Sequence, residues 1–140
     1  MGVARAGNVI GGGDWVKDRL IPDCIKSWSV NKKVTIRNFR STRPWQHVLE
    51  PLSGYMTLAS NLYSSDSLNG EAYNFGPNEN ENYSVEEVIT EMRKYWKKVN
   101  WEKYNSKKID FPEAGLLKLN CEKAFNHLEW TSTLNFPETI

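Results

Sequence analysis

The chain lacks most features of membrane, secreted or metal-binding proteins. It has no apolar run long enough to span a bilayer and no charged-then-apolar leader at its start. Its two cysteines, Cys24 and Cys121, lie far apart and match no metal-ligand spacing. These absences predict a cytoplasmic protein with two free thiols, no bound metal and no membrane partner.

The chain also lacks an excess of charge of either sign. It has 18 Lys and Arg against 17 Asp and Glu, for a formal net charge of +1. Proteins that bind nucleic acid through its phosphates usually carry a basic surplus. The charge balance therefore predicts no nucleic-acid partner.

Aromatic residues and alternating secondary structure are what the chain does have. Six Trp, six Tyr and five Phe can fill a core and line a pocket. Apolar periodicity, turn residues and a Ser84–Glu87 capping box predict strands at 3–10, 34–37, 43–48, 72–75 and 116–120, with helices at 18–30, 51–63, 85–99 and 121–128. This alternation predicts an α/β fold within 140 residues, one domain in size.

Two of these helices carry more detailed predictions. The helix at 51–63 should bury one apolar face, formed by Leu52, Tyr55, Met56, Ala59 and Leu62. The helix at 121–128 should begin with Asn120 as its N-cap.

Three consecutive glycines in the stretch RAGNVIGGGDW, residues 5–15, raise the question of a phosphate-binding loop. A dinucleotide fingerprint needs G-x-G-x-x-G, but Val16 occupies the third glycine position and Trp15 would crowd a pyrophosphate. No acidic residue ends a second strand at the required distance. A tight turn of permissive glycines and a turn beside a different ligand are the alternatives.

Longer stretches carry a resemblance to a known family. RAGNVIGGGDW, DRLIPD, RPWQHVLEPLSGY and YNFGP together resemble the back part of the CDP-glucose 4,6-dehydratases, which are extended short-chain dehydrogenases/reductases acting on nucleotide sugars. The similarity runs from about residue 3 to residue 130. The broader superfamily usually has R-x-x-N-x-Y-G-P and R-D-W-x-x-V in the first and third of these stretches.

The resemblance implies an architecture and an activity. Residues 1–140 would be the nucleotide-sugar-binding part of a Rossmann-type fold, with residues 1–12 as the last piece of the Rossmann-side sheet. A preceding front part would supply the coenzyme-binding units, so NAD belongs to the full-length enzyme and this chain alone is not expected to bind it. In that family NAD oxidises C4 of the sugar, water leaves across C5–C6, and hydride returns to C6.

The resemblance also implies substrate-binding residues. Asn8, Arg19 and Leu20 match positions that contact the sugar nucleotide, and Arg43 matches the arginine that grips the diphosphate. A guanidinium can bind phosphate oxygens in two places at once. Thr35 and Arg37 should share one face of their strand near the base, and Glu113 would accept a bond from the ribose, although Pro112 replaces the family's His. Turn formation by Asn8, a solvated Arg19 or Arg43, and a plain edge strand for Thr35 and Arg37 are the structural alternatives.

Several other residues are not assigned to the predicted site. Tyr104 and Lys108 form a Tyr-x-x-x-Lys pattern, but Asn105 and Ser106 between them break helical periodicity, so the pattern is interpreted as a chance match. His47 is interpreted as a packed histidine. Glu129 replaces the glycine that relatives have in LGW, so the last helix is expected to end differently.

Three functions remain open at this point. The chain belongs to a nucleotide-sugar 4,6-dehydratase, to another epimerase or reductase of the superfamily, or to a non-catalytic sugar-nucleotide-binding module. A chain starting on an interior strand should expose apolar surface, which predicts a homo-oligomer, most simply a dimer.

Overall fold

The computed structural model describes residues 1–104 and 115–140. Its helices are α1 (Leu20–Ser29), α2 (Leu49–Ser64), α3 (Val85–Tyr95), α4 (Glu122–Leu128) and α5 (Phe136–Thr139), with a 3₁₀ helix at Asp66–Leu68. Its strands are β1 (Val3–Ala6), β2 (Asn8–Ile10), β3 (Val34–Ile36), β4 (Thr42–Arg43), β5 (Trp45–His47), β6 (Ala72–Phe75), β7 (Tyr83–Ser84) and β8 (Trp101–Lys103). Within the described ranges no helix is long and apolar enough to cross a membrane.

Parallel pairing dominates the strands. β1 pairs with β6, β2 with β5 and β3 with β8, all in parallel, whereas β4 and β7 pair antiparallel. Parallel partners need a long crossover between them, and α1, α2 and α3 lie within those crossovers. The arrangement is α/β, as the alternation of elements predicts.

Two predicted strands are each divided at one residue. The strand predicted at 3–10 splits at Gly7, and the strand predicted at 43–48 splits at Pro44. The two breaks face each other, because the Asn8 N–H donates to the Pro44 carbonyl at 2.9 Å. A Cβ on Gly7 would lie 2.5 Å from that same oxygen, so only glycine allows this approach. β1 and β2 consequently join different strands.

Two apolar cores lie beneath these elements. The first is centred on Cys24, Trp28, Val88 and Ile89 and joins α1, β3, β5 and α3. The second joins α2, β6 and α4 through the fully buried rings of Tyr73 and Phe75. Glu50 of α2 links the C-terminal segment to the second core, because its Oε1 accepts bonds from the N–H groups of Thr133 and Leu134 at 3.0 and 2.7 Å.

The predicted buried face of α2 is wrong. Leu52, Tyr55, Met56 and Ala59 are exposed and Leu62 is half-buried, whereas the buried residues are Glu50, Pro51, Gly54 and Leu58. Gly54 decides this orientation, since its backbone lies directly against the Phe75 ring and a Cβ there would come within 2.2 Å of it. The helix therefore packs on β6 through Gly54 and Leu58, and it leaves most of its other apolar residues exposed.

The predicted strand at 116–120 is also not formed. Leu116 makes one isolated bridge with Thr42, and residues 117–120 have no regular structure. Leu116 and Leu117 are exposed, so their apolar character serves no sheet among the described residues.

Helix boundaries follow the sequence more closely. α3 begins with the predicted capping box, in which the Ser84 and Glu87 side chains each bond the other's backbone N–H. Asn120 caps α4 from one residue further out than predicted, since Cys121 is the N-cap and the Asn120 side chain accepts from the Glu122 N–H at 2.9 Å. The expectation that Glu129 would make this helix end differently is wrong, because Glu129 takes the left-handed conformation, with φ 52°, and α4 ends as it would with glycine.

Candidate functional site

A cleft of about 630 Å³ lies between β2, the start of α1, β3 and β4. Six of the seven predicted substrate-binding residues line it: Asn8, Arg19, Leu20, Thr35, Arg37 and Arg43. These residues come from four separate segments of the chain. The fold therefore brings together side chains that the sequence places up to 35 positions apart.

Asn8 opens β2 at the edge of the cleft. Its backbone is fixed by the bond to Pro44 and by its register with Trp45 of β5. Gly7 beside it also lines the cleft. The asparagine amide can donate and accept hydrogen bonds without adding charge, which suits a neutral sugar or nucleoside group.

The three-glycine turn supports this wall but does not form the dinucleotide cradle. Gly11 packs under Val48, where a Cβ would lie 2.8 Å from the valine side chain, and Gly13 has φ 80°. α1 begins only at Leu20, well after the turn. A dinucleotide fingerprint places its helix N-terminus directly at the glycines, so the turn does not fit NAD. None of Gly11, Gly12 and Gly13 lines the cleft.

The segment between the turn and α1 carries Arg19 to the cleft. Asp14 organises this segment, since one carboxylate oxygen accepts from the Val16 N–H at 3.1 Å and the other lies 3.5 Å from the Arg19 guanidinium. Asp18 has φ 63°, an unfavourable conformation for a residue with a side chain. Strained backbone of this kind is common at ligand sites. Arg19 and Leu20 then stand at the N-terminus of α1, where backbone N–H groups attract anions.

β3 supplies the opposite wall. Thr35 and Arg37 are exposed on either side of the buried Ile36, as the strand alternation predicts. The Thr35 hydroxyl donates to Glu102 of the neighbouring β8 at 3.4 Å. Arg37 follows directly after the strand, where its guanidinium adds positive charge to the cleft.

Arg43 is half-buried in the cleft and held by a rigid strand pair. β4 pairs with β7, placing Arg43 opposite Tyr83, and the Arg43 Nη1 donates to the Thr42 carbonyl at 2.8 Å. Tyr83 is itself fixed, because its ring stacks on Phe136 with centroids 3.8 Å apart. Burial, followed by the charges of Glu81 and Glu87, raises the Tyr83 pKa, so the phenol stays neutral.

The acidic residues of the cleft were not predicted from the sequence. Asp14, Asp18 and Asp23 line it beside the three arginines, together with Asn38 and Ser41. Opposite charges in equal number make the cleft amphoteric rather than purely cationic. Such a lining suits a ligand that has both anionic groups and several hydroxyl or amino donors. All three aspartates lie within the segment DWVKDRLIPD, and this clustering in the sequence could have identified them.

Several other sequence predictions fall outside this cleft. Glu113 and Lys108 lie outside the described residues, so the ribose contact and the Tyr-x-x-x-Lys pattern stay predictions. His47 does not line the cleft, and its Nδ1 accepts from the Leu49 N–H at 3.2 Å at the start of α2. Across residues 1–104 and 115–140, no three His, Cys, Asp or Glu side chains group to hold a metal ion.

Cys24 lies in α1, behind the cleft, and its thiol has low reactivity. Burial, with a smaller contribution from the charge of Asp23, raises the pKa of its thiol to about 12. The nucleophilic form of cysteine is the thiolate, which is scarce at neutral pH for such a group. Cys24 is therefore a packing residue.

Comparison with curated proteins shows that the chain is similar in sequence to an enzyme. It is 46% identical over 137 residues to the CDP-glucose 4,6-dehydratase of Salmonella typhimurium, a match covering 97% of this chain and 38% of that protein. The chain thus spans less than half the length of this relative. The resemblance to the CDP-glucose 4,6-dehydratases is confirmed, although no family model matches the chain.

Solved structures share the fold. UDP-glucuronic acid 4-epimerase from Bacillus cereus, solved with UDP-glucuronic acid and NAD, superposes with a TM-score of 0.79 at 20% identity over 97% of this chain and 41% of its own. dTDP-glucose 4,6-dehydratase from Bacillus anthracis, solved with NAD, gives 0.75 at 21% identity over 99% and 41%. The predicted α/β fold of extended short-chain dehydrogenase type is therefore confirmed.

Proposed function

We propose that this chain is the nucleotide-sugar-binding part of a 4,6-dehydratase whose substrate is CDP-glucose and whose product is CDP-4-keto-6-deoxyglucose. The cleft that gathers Asn8, Arg19, Leu20, Thr35, Arg37 and Arg43 carries the proposal. The 46% identity to the Salmonella enzyme favours CDP-glucose over other nucleotide sugars.

Each residue that lines the cleft has a proposed contact with one part of the ligand. Arg43 and Arg19 bind the diphosphate, because guanidinium groups match phosphate oxygens in geometry and charge. Asn8 and the backbone at Leu20 orient the sugar-phosphate end, and Thr35 and Arg37 lie toward the nucleoside. Glu113 completes the set as a ribose acceptor. The whole of residues 1–140 acts as this binding part in the cytoplasm, with residues 1–12 on the side of the Rossmann sheet.

The aspartates favour cytosine over uracil. Cytosine presents an N4 amino donor where uracil presents the O4 acceptor. A carboxylate that lines the cleft accepts from the amino group but repels a carbonyl oxygen. The amphoteric cleft should therefore bind CDP-sugars more tightly than UDP-sugars.

NAD acts in the proposed enzyme through residues other than the glycine-rich turn. NAD supplies hydride transfer when it is bound, and the NAD-bound epimerase and dehydratase structures make it the expected coenzyme. The turn at Gly11–Gly13 does not have the required geometry, so we expect this chain alone to show no micromolar NAD affinity and no turnover.

Calorimetric titration tests the proposal. The chain is titrated with CDP-glucose, dTDP-glucose, UDP-glucuronic acid and glucose, and NAD is titrated separately. We expect CDP-glucose to bind at least tenfold more tightly than the other two nucleotide sugars. Equal affinity for all three would overturn the CDP assignment, and no binding of any nucleotide sugar would overturn the binding function itself.

A further inference from the structure

A second cavity, of about 680 Å³, lies between the turn after α1, the end of α3 and the start of β8. The side chains that matter for its chemistry are Asn31, Arg93, Lys97, Lys98, Asn100 and Trp101. We call it the basic cavity, because the described residues that line it include three cationic side chains and no acidic one. It shares no lining residue with the cleft of the candidate site.

The three cationic side chains of the basic cavity have no acidic partner within residues 1–104 and 115–140. The acidic residues of the neighbouring elements are bonded elsewhere. Glu91 of α3 pairs with Lys94 at 2.5 Å, and Glu102 of β8 accepts from the Thr35 hydroxyl at 3.4 Å. Walls of a single charge sign raise the local concentration of ions of the opposite sign, so this cavity attracts anions.

The end of α3 does not account for this concentration of charge. Arg93 and Lys94 lie in the last turn of α3, where cations offset the partial negative charge of the helix carbonyls. That effect falls off within the last turn, whereas Lys97 and Lys98 follow the helix. The cavity therefore holds more positive charge than the helix end requires.

Buried aromatic side chains fix the floor of the basic cavity. The Asn100 carbonyl accepts from the Trp28 indole N–H at 2.7 Å and from the Val34 N–H at 3.1 Å. Trp28 is fully buried, and the Trp101 ring packs on Phe39 with centroids 4.3 Å apart. Because this floor is ordered before a ligand arrives, binding pays little for ordering the backbone there.

We propose that the basic cavity binds a compact polyanion of the class of inorganic or nucleoside di- and triphosphates. The planar Arg93 guanidinium can bind two phosphate oxygens at once, and Lys97 and Lys98 add point charges. The side-chain amides of Asn31 and Asn100 can donate further hydrogen bonds. A singly charged anion would leave most of this positive charge unpaired. A net charge of only +1 argues against a long nucleic acid, which needs an extended basic surface.

Titration with inorganic triphosphate tests the proposal on the 140-residue chain. The backbone amide signals of the ¹⁵N-labelled protein report the basic cavity and the cleft separately. Signals of Asn31, Asn100 and Trp101 should shift together and saturate, with a dissociation constant of about 1 mM or tighter at physiological salt. Signals of the cleft residues should follow a curve of their own.

Paired lysine substitutions locate the binding. Lys97→Glu/Lys98→Glu should weaken triphosphate binding at the cavity signals by roughly tenfold or more. Lys97→Gln/Lys98→Gln removes the charges without reversing them, so its loss should be smaller. Lys32→Glu/Lys33→Glu is the matched control, because it changes the net charge as much on exposed neighbouring lysines that do not line the cavity. It should change the affinity by less than about threefold, since salt screens exposed charges outside the site.

Three results would overturn the proposal. Equal losses in the two glutamate variants would mean that binding follows net charge alone. Shifts that do not saturate would show no defined site, and shifts confined to the cleft residues would assign the triphosphate to the cleft. Circular dichroism checks that each variant keeps the wild-type fold. CDP-glucose affinity should be the same in Lys97→Glu/Lys98→Glu as in wild type, so this inference and the proposed function fail separately.

Discussion

Replacing Arg43 by alanine in the 140-residue chain is the most direct test of the proposed binding site. Its guanidinium lines the cleft from β4, whose backbone is held by pairing with β7. Arg43→Ala leaves that backbone pairing intact and removes the guanidinium, including its bond to the Thr42 carbonyl. The fold should therefore persist while ligand binding changes.

The expected loss follows from the strength of charged hydrogen bonds. Each such bond contributes about 1.5–3 kcal/mol. Loss of even one should weaken CDP-glucose binding by roughly 10- to 150-fold, since 1.4 kcal/mol is one decade in affinity. Arg43→Lys should fall between wild type and alanine, because an ammonium keeps the charge but cannot reproduce the planar fork.

Calorimetry with CDP-glucose and CDP measures how much affinity is lost and shows which part of the ligand Arg43 contacts. Both ligands carry the diphosphate, so Arg43→Ala should weaken them by the same factor. Arg40→Ala is the matched control, since Arg40 is an exposed arginine near the same segment that does not line the cleft. An affinity within twofold of wild type would refute the assignment of Arg43 to the diphosphate site. A loss confined to CDP-glucose would move Arg43 from the diphosphate to the sugar.

Two further predictions concern stability and are measured by thermal unfolding. Gly54→Ala should lower the free energy of unfolding by about 3 kcal/mol and the melting temperature by about 10 °C, because the added Cβ meets a buried ring at 2.2 Å. Gly12→Ala, with open space around its Cβ, is the control and should be near neutral; equal effects would refute the packing argument. Glu129→Gly should stabilise the chain by about 0.5–1 kcal/mol, because glycine adopts φ 52° without steric cost. A destabilised Glu129→Gly variant would mean that the Glu129 side chain contributes more than its backbone strain costs.

Local features could be predicted from the sequence because neighbouring residues determine them. The capping box at the start of α3 depends on Ser84 and Glu87, three positions apart, and the structure forms it as predicted. The alternation of Thr35, Ile36 and Arg37 likewise follows from strand geometry alone. Six cleft residues were identified from family motifs, which carry spatial information that composition and periodicity do not.

Long-range packing decided what the sequence could not. The split of two strands at Gly7 and Pro44 occurs where Asn8 bonds Pro44, a contact between residues 36 positions apart. Asp14 and Asp18 of the cleft lie in the loop before α1 and Asp23 lies in its first turn, and only the fold places all three in one cleft with the arginines. The strand predicted at 116–120 is not formed, because in the part of the chain that the structure describes these residues make one isolated bridge, from Leu116 to Thr42.

The orientation of α2 separates the two kinds of information most clearly. Its sequence alone determined a helix, since good helix-forming and apolar residues run through it with no interior proline beyond the first turn. Its periodicity could not say which face is buried, because apolar residues occur on opposite sides. Tertiary structure made that choice through Gly54, whose missing Cβ lets the helix approach the Phe75 ring as no larger residue could.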